Sequence, residues 1–194
     1  MAVVVRLPSP AHALLRRHRP NQPVPGDALL HPVVLAALGI LFVNDHVLKA
    51  WARGTRWAIV TGKLSDVAGL LFLPVLLVAG AEFIAALRGR FAGPSTRHAV
   101  IAGVGVAVTF AAMKTWTPAA EVYRVALGVL QWPAFAAVAA FAGRPLPSVV
   151  PVRHVIDPTD LVAVPAVGWA FVQARARARS WARSGPMKAA NDGR

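Results

Sequence analysis

The sequence predicts an all-α fold, a polytopic membrane helical bundle of about five transmembrane helices within a range of four to six. Three observations carry that expectation. Apolar residues make up 56% of the 194 residues and charged residues 15%, with a mean hydropathy of +0.54, whereas roughly a quarter of an ordinary soluble domain is charged. The charges are segregated: residues 28–44, 67–81, 99–113, 125–143 and 161–174 contain almost none. Gly69, Pro74, Gly103, Gly105, Pro133, Pro165 and Gly168 fall inside these runs, and membrane helices tolerate both residue types better than soluble helices do. A crossing needs about 20 residues, and flanking Trp, His, Thr and snorkelling Arg extend the shorter runs to that length. A soluble bundle would show polar residues at every second turn, but residues 67–81 are apolar on every side.

The chain divides into a basic N-terminal arm (1–26), a transmembrane domain (27–175) and a basic C-terminal tail (176–194). The arm has no uninterrupted apolar core before its prolines and is a poor signal peptide. Asp27 is placed to cap a first helix reaching about Lys49, with Pro32 tolerated in the first turns. Residues 50–60 read as a loop or interfacial segment carrying Trp51, Arg53, Arg56 and Trp57. A second helix is expected from Ser65 to about Leu87, bent at Pro74. Ser95 or Thr96 caps a third, which ends near Thr115. Thr117-Pro118 restarts the chain at once, so the third and fourth helices form an antiparallel hairpin. The fourth helix reaches Phe141 with a distortion near Pro133, and residues 144–151 form an extended linker. A fifth begins at Asp157-Pro158 and ends in A-R-A-R-A-R-S.

Seventeen arginines against four lysines, with abundant Ala and Val, indicate a GC-rich bacterial genome and place the chain as a multi-pass protein of the inner (cytoplasmic) membrane. With five crossings, one side collects twelve Lys and Arg and the other nine, which favours a cytoplasmic C-terminus. Both tails are basic, however, which suits an even number of crossings better. The net charge of +13 points to anionic lipid headgroups as partners. No groove-reading motif supports nucleic acid. There is no cysteine, hence no disulfide or thiolate metal site. The six histidines, at 12, 18, 31, 46, 98 and 154, lack metal-ligand spacing. No motif implies a cofactor.

Most acids have a capping explanation: Asp27, Asp66, Glu121, Asp157 and Asp160 fall in the first turn or cap of an expected helix, and D-P-T-D at 157–160 has capping-box spacing. Glu82 is given no role. Asp45 is the exception, because the C-terminal end of a helix disfavours a carboxylate. Lys49 at i+4 pairs with it weakly, so a second partner is expected, Lys63 first. His46 projects about 100° away from Asp45. Asp45, His46, Lys49, Lys63, Ser65 and Asp66 therefore form the candidate polar cluster, with Lys114, Asp157 and Asp160 as a second set. No catalytic role is assigned to any of them. On this reading Asp45→Asn is severe and Asp66→Asn mild.

N-D-H-x-L-K at 44–49, T-G-K-L-S-D-x-x-G-L at 61–70 and D-P-T-D-L at 157–161 resemble a set found in small, uncharacterised bacterial multi-span membrane proteins. That group carries no activity to transfer. Residues 62–69 also match the G-x-L-x-D-x-x-G core of the loop between the second and third helices of major facilitator transporters. Val67, Leu70 and Leu71 stand where that family has basic residues, and the chain is far short of twelve spans.

Three function classes follow. The first is a small transporter or channel component using the charged cluster as a relay, with helices broken at Pro74, Pro133 and Pro165 lining the path. The second is a membrane-embedded enzyme acting on a lipid or isoprenoid headgroup, with Lys49 and Lys63 binding phosphate. The third is a structural or partner-binding protein. If all five helices cross, the fifth starts opposite the first loop, so a shared site requires one segment to be re-entrant or interfacial.

Overall fold

The computed structural model describes residues 24–183. No strand occurs among them. Four helices are long and apolar enough to cross a membrane: α1 (Pro32–Ala52), α2 (Trp57–Leu87), α3 (Thr96–Thr115) and α4 (Thr117–Phe141). A 3-10 turn, Asp27–Leu30, leads into α1, whose first free N–H groups are partly satisfied by His31 Nδ1, 3.2 Å from Val33 N. Near its end α1 widens into one π-helical turn, Asn44–Leu48.

The α1–α2 connection is much shorter than the expected loop. Gly54 turns the chain with φ +79, and the Thr55 hydroxyl accepts from Trp57 N at 3.2 Å, so helix resumes at Trp57. Ser65 and Asp66 consequently lie inside α2, not at its cap. Pro74 is buried within α2, and the helix continues through it, as α4 does through Pro133. Ser95 caps α3 by accepting from His98 N at 3.3 Å. Pro118 occupies the first turn of α4, where its missing N–H costs nothing.

After Phe141 the chain returns along α4 in extended form. Trp132 Nε1 donates to Pro147 O at 2.7 Å, Gly128 lies against Val150, and Val152 N donates to Arg124 O at 3.1 Å. His154 stacks edge-on to Tyr123. Each step forward in the linker meets an earlier residue of α4, so the linker runs antiparallel to it and ends where α4 began. Gly128 permits this approach: a Cβ there would sit 2.5 Å from Val150 O.

The fifth segment then begins as a 3-10 helix, Pro158–Val167, and continues as α5, Gly168–Arg183. It packs against α2 and α3 and carries the chain back across. The bundle thus has six passes, five helical and one extended, and Val24 and Arg183 lie at the same end. The start of the fifth segment shares an end with the α1–α2 turn, which the expectation of five helical crossings placed opposite. The extended linker supplies the missing pass.

α2 is the central element. Val75 packs with Val34 and Ala170, Leu70 with Val106, Phe110 and Ala163, and Val78 with Ala99 and Ala174. Leu38, Phe42, Leu77, Phe83, Val104 and Leu130 are among many large apolar side chains left exposed, as lipid contact requires. At 1.5 Å per residue α2 is about 46 Å long, against a hydrocarbon thickness of about 30 Å. On α2, Lys63 and Glu82 are nineteen residues apart, about 28 Å, close to that thickness.

Candidate functional site

At the end of the bundle that holds the α1–α2 turn, three elements bring four charges together. Asp157 caps the fifth segment by accepting from Thr159 N at 2.9 Å and Thr159 Oγ1 at 2.7 Å. These bonds, the side-chain one first, hold its carboxyl below the ordinary aspartate value. The cap turns Asp160 toward the bundle axis. Asp160 Oδ1 then receives Lys63 Nζ of α2 at 2.9 Å, and its Oδ2 receives Lys114 Nζ of α3 at 2.6 Å. Lys114 also reaches Asp66 Oδ2 at 3.1 Å. Lys63 in addition donates to Thr159 Oγ1 at 2.7 Å.

The order Lys63, Asp160, Lys114, Asp66 alternates in sign, and the Lys114 and Asp160 side chains are only 9% and 11% exposed. Charges so far from water persist when each faces an opposite partner. Local sequence favours both central members: Asp160 in the first turn of a helix and Lys114 in the last turn of one. Asp160 therefore serves as an inter-helix acceptor more than as part of a capping box.

The rest of the expected cluster is separate. Asp45 Oδ1 lies 2.7 Å from Lys49 Nζ and accepts from Ser65 Oγ at 2.8 Å, and Lys49 donates to the same hydroxyl at 3.2 Å. Asp45 thus has a second partner, but it is Ser65, while Lys63 turns to the fifth segment. The π-helical turn accounts for the choice, because it faces Asn44 inward. Asn44 is fully buried with its Nδ2 2.7 Å from Thr61 O, and Asp45 is left at the surface beside Ser65. His46 joins neither group: its Nδ1 lies 2.9 Å from Phe42 O and its ring stacks on Phe42. Glu121, expected as a cap, pairs with Arg124 at 2.7 Å.

An apolar groove of about 810 Å³ opens between α2 and α3. Leu73, Leu77, Ile101 and Phe110 line it, with Ser65, Asp66 and Tyr123 at one end and His98 at the other. Gly69 and Gly105 help to form it, since a Cβ on either would meet nothing within 4 Å. From Ser65 to Ala81 the groove follows α2 over sixteen residue steps, about 24 Å. Asp66 borders both structures. Its Oδ2 faces Lys114 at 3.1 Å.

The opposite end of the bundle holds a second ionic cluster. Arg177 of α5 grips Glu82 of α2 bidentately, at 2.7 and 2.8 Å, and also pairs with Asp27. Gly26 N donates to Glu82 Oε2 at 3.1 Å, and Gln173 Nε2 donates to Ala28 O at 2.7 Å. Glu82 is 4% exposed. Sequence reasoning gave Glu82 no role, although a signal existed: a carboxylate in an apolar helix, nineteen residues from Lys63, about one hydrocarbon thickness. No family model, curated protein or solved structure matches the chain.

Proposed function

We propose that the protein is a small transporter component that holds an amphipathic molecule in the α2–α3 groove, its apolar tail between the helices and its polar head at Asp66. The observation that carries this reading is the groove's asymmetry: an apolar trough open to lipid ends on a carboxylate oxygen, a serine and a tyrosine. A carboxylate accepts hydrogen bonds, so the head is a donor, an amine or a hydroxyl. The enzyme reading lacks comparable support. Lys49, the amine nearest to Ser65, is already engaged by Asp45 Oδ1 and by the Ser65 hydroxyl itself.

For location, the reading is a bacterial inner membrane with both ends of the described chain cytoplasmic. Arg88, Arg90, Arg97, Arg144 and the arginines of α5 lie at the Glu82 end. Several lysines at the other end are neutralised in ion pairs. The positive-inside rule then puts the Glu82 end inside, where exposed Arg175 and Arg179 face anionic headgroups.

The test is to purify the protein in mild detergent and identify bound amphiphiles by mass spectrometry. A bulky replacement, Gly105→Trp, is expected to empty the groove, and Asp66→Asn to deplete only amine-headed species. Equal recovery of the same molecules from the Gly105→Trp protein would overturn the assignment. Fluorescent-protein fusions at either end are expected to fold and fluoresce in the cytoplasm.

A further inference from the structure

We infer that the face formed by α4 and the extended linker is the contact surface for a second copy of this chain in the membrane. The linker meets α4 through Trp132, Gly128 and Arg124, so residues 147–152 pass the middle portion of that helix. Gly128 is eleven residues, about 17 Å, from the start of α4. The backbone N–H groups of Leu146, Ser148, Val149 and Val150 have no hydrogen-bond partner among the described residues. Leu146, Val149 and Val150 are exposed. Lipid supplies no hydrogen bonds at this depth, and extended backbone occurs there only against protein or water.

Two observations select a second copy as the occupant. Gln131 is exposed and adjoins Trp132, which bonds Pro147, so it lies at the depth of Ser148 and Val149. A two-fold axis along the membrane normal preserves depth, and it brings the Gln131 of each copy to the free backbone of the other. The amide offers an acceptor oxygen, matching the unpaired N–H groups. Lower on the same face, Glu121 and Arg124 stand one turn apart with Glu121 exposed. An isologous contact lets the acid of one copy meet the base of the other. α4 also has the most room for a partner, with 11% of its apolar window buried against 33% for α2.

The absence of cysteine makes the test direct. Val149→Cys, on the linker, and Val104→Cys, exposed on α3, are oxidised in native membranes and then treated with a membrane-impermeant maleimide. The expected result is a cross-linked species of twice the chain mass for Val149→Cys alone, reduced several-fold by adding Gln131→Leu. Maleimide labelling of an uncross-linked Val149→Cys would show that the linker lines water, and would overturn the proposal. So would an adduct of any other mass, an unlabelled monomer, or equal dimer formation by Val104→Cys.

Discussion

Lys114 Nζ lies 2.6 Å from Asp160 Oδ2, tying the end of α3 to the start of a segment forty-six residues further along the chain. With Asp66 on its other side, this one ammonium stands between two carboxylates. Replacing it by methionine leaves both facing each other away from water. Breaking a buried pair in this way costs about 3–5 kcal/mol. Lys114→Met is therefore expected to lose most of the protein's thermal stability in detergent, and Lys114→Met with Asp160→Asn to recover part of it. A double variant as unstable as the single would contradict the pairing.

Asp45 and Lys49 are 45% and 43% exposed, so their pair is screened and contributes about 1 kcal/mol or less. Asp66 faces the much less exposed Lys114. Asp66→Asn is expected to destabilise the protein more than Asp45→Asn, the reverse of the order that sequence position alone suggests. Parallel melting curves decide it.

Gly128→Ala places a methyl group 2.5 Å from Val150 O, and backbone cannot swing aside as a flexible side chain does. The linker must shift from α4, at a cost of about 1–3 kcal/mol. The same change is expected to lower cross-linking through Val149→Cys, whereas Gly62→Ala, with open space around it, leaves both readouts unchanged.

The cap at Asp157 titrates. Its carboxyl is held below the ordinary value of 3.8 by Thr159, so its stabilising effect is complete at neutral pH and is lost as the pH falls through that lowered value. Asp157→Ala is expected to reduce stability at pH 7, with the difference from the parent protein vanishing in strong acid. A difference that grows on acidification would contradict the cap.

The helical passes are legible in the sequence because an apolar run reports directly on burial in lipid, whatever it packs against. The serine cap of α3 is legible for the same reason: its partner, His98 N, is three residues away. Lys63 with Asp160 is different, since the two are ninety-seven residues apart and neither local spacing nor charge pattern encodes which lysine an aspartate meets. The start of α2 was displaced because Lys63, Ser65 and Asp66 imitate a cap when their distant partners are unknown. The linker reads as extended in the sequence, but its crossing does not, because prolines and arginines around a short valine run lack the length and apolarity by which a pass is recognised.

The fifth segment is fastened to α2 at both ends of the bundle, by Asp160 to Lys63 and by Arg177 to Glu82. On α2 those anchor points are nineteen residues apart, about 28 Å. On the fifth segment they are only seventeen apart, which as α-helix reaches about 25 Å. The 3-10 stretch, rising about 2.0 Å per residue, lengthens that reach to about 30 Å. The segment thus behaves as a turnbuckle, its pitch adjusted to the gap between two fixed ends. If residues 158–167 wound into an α-helix, the span would shorten by several ångströms and one fastening would have to open.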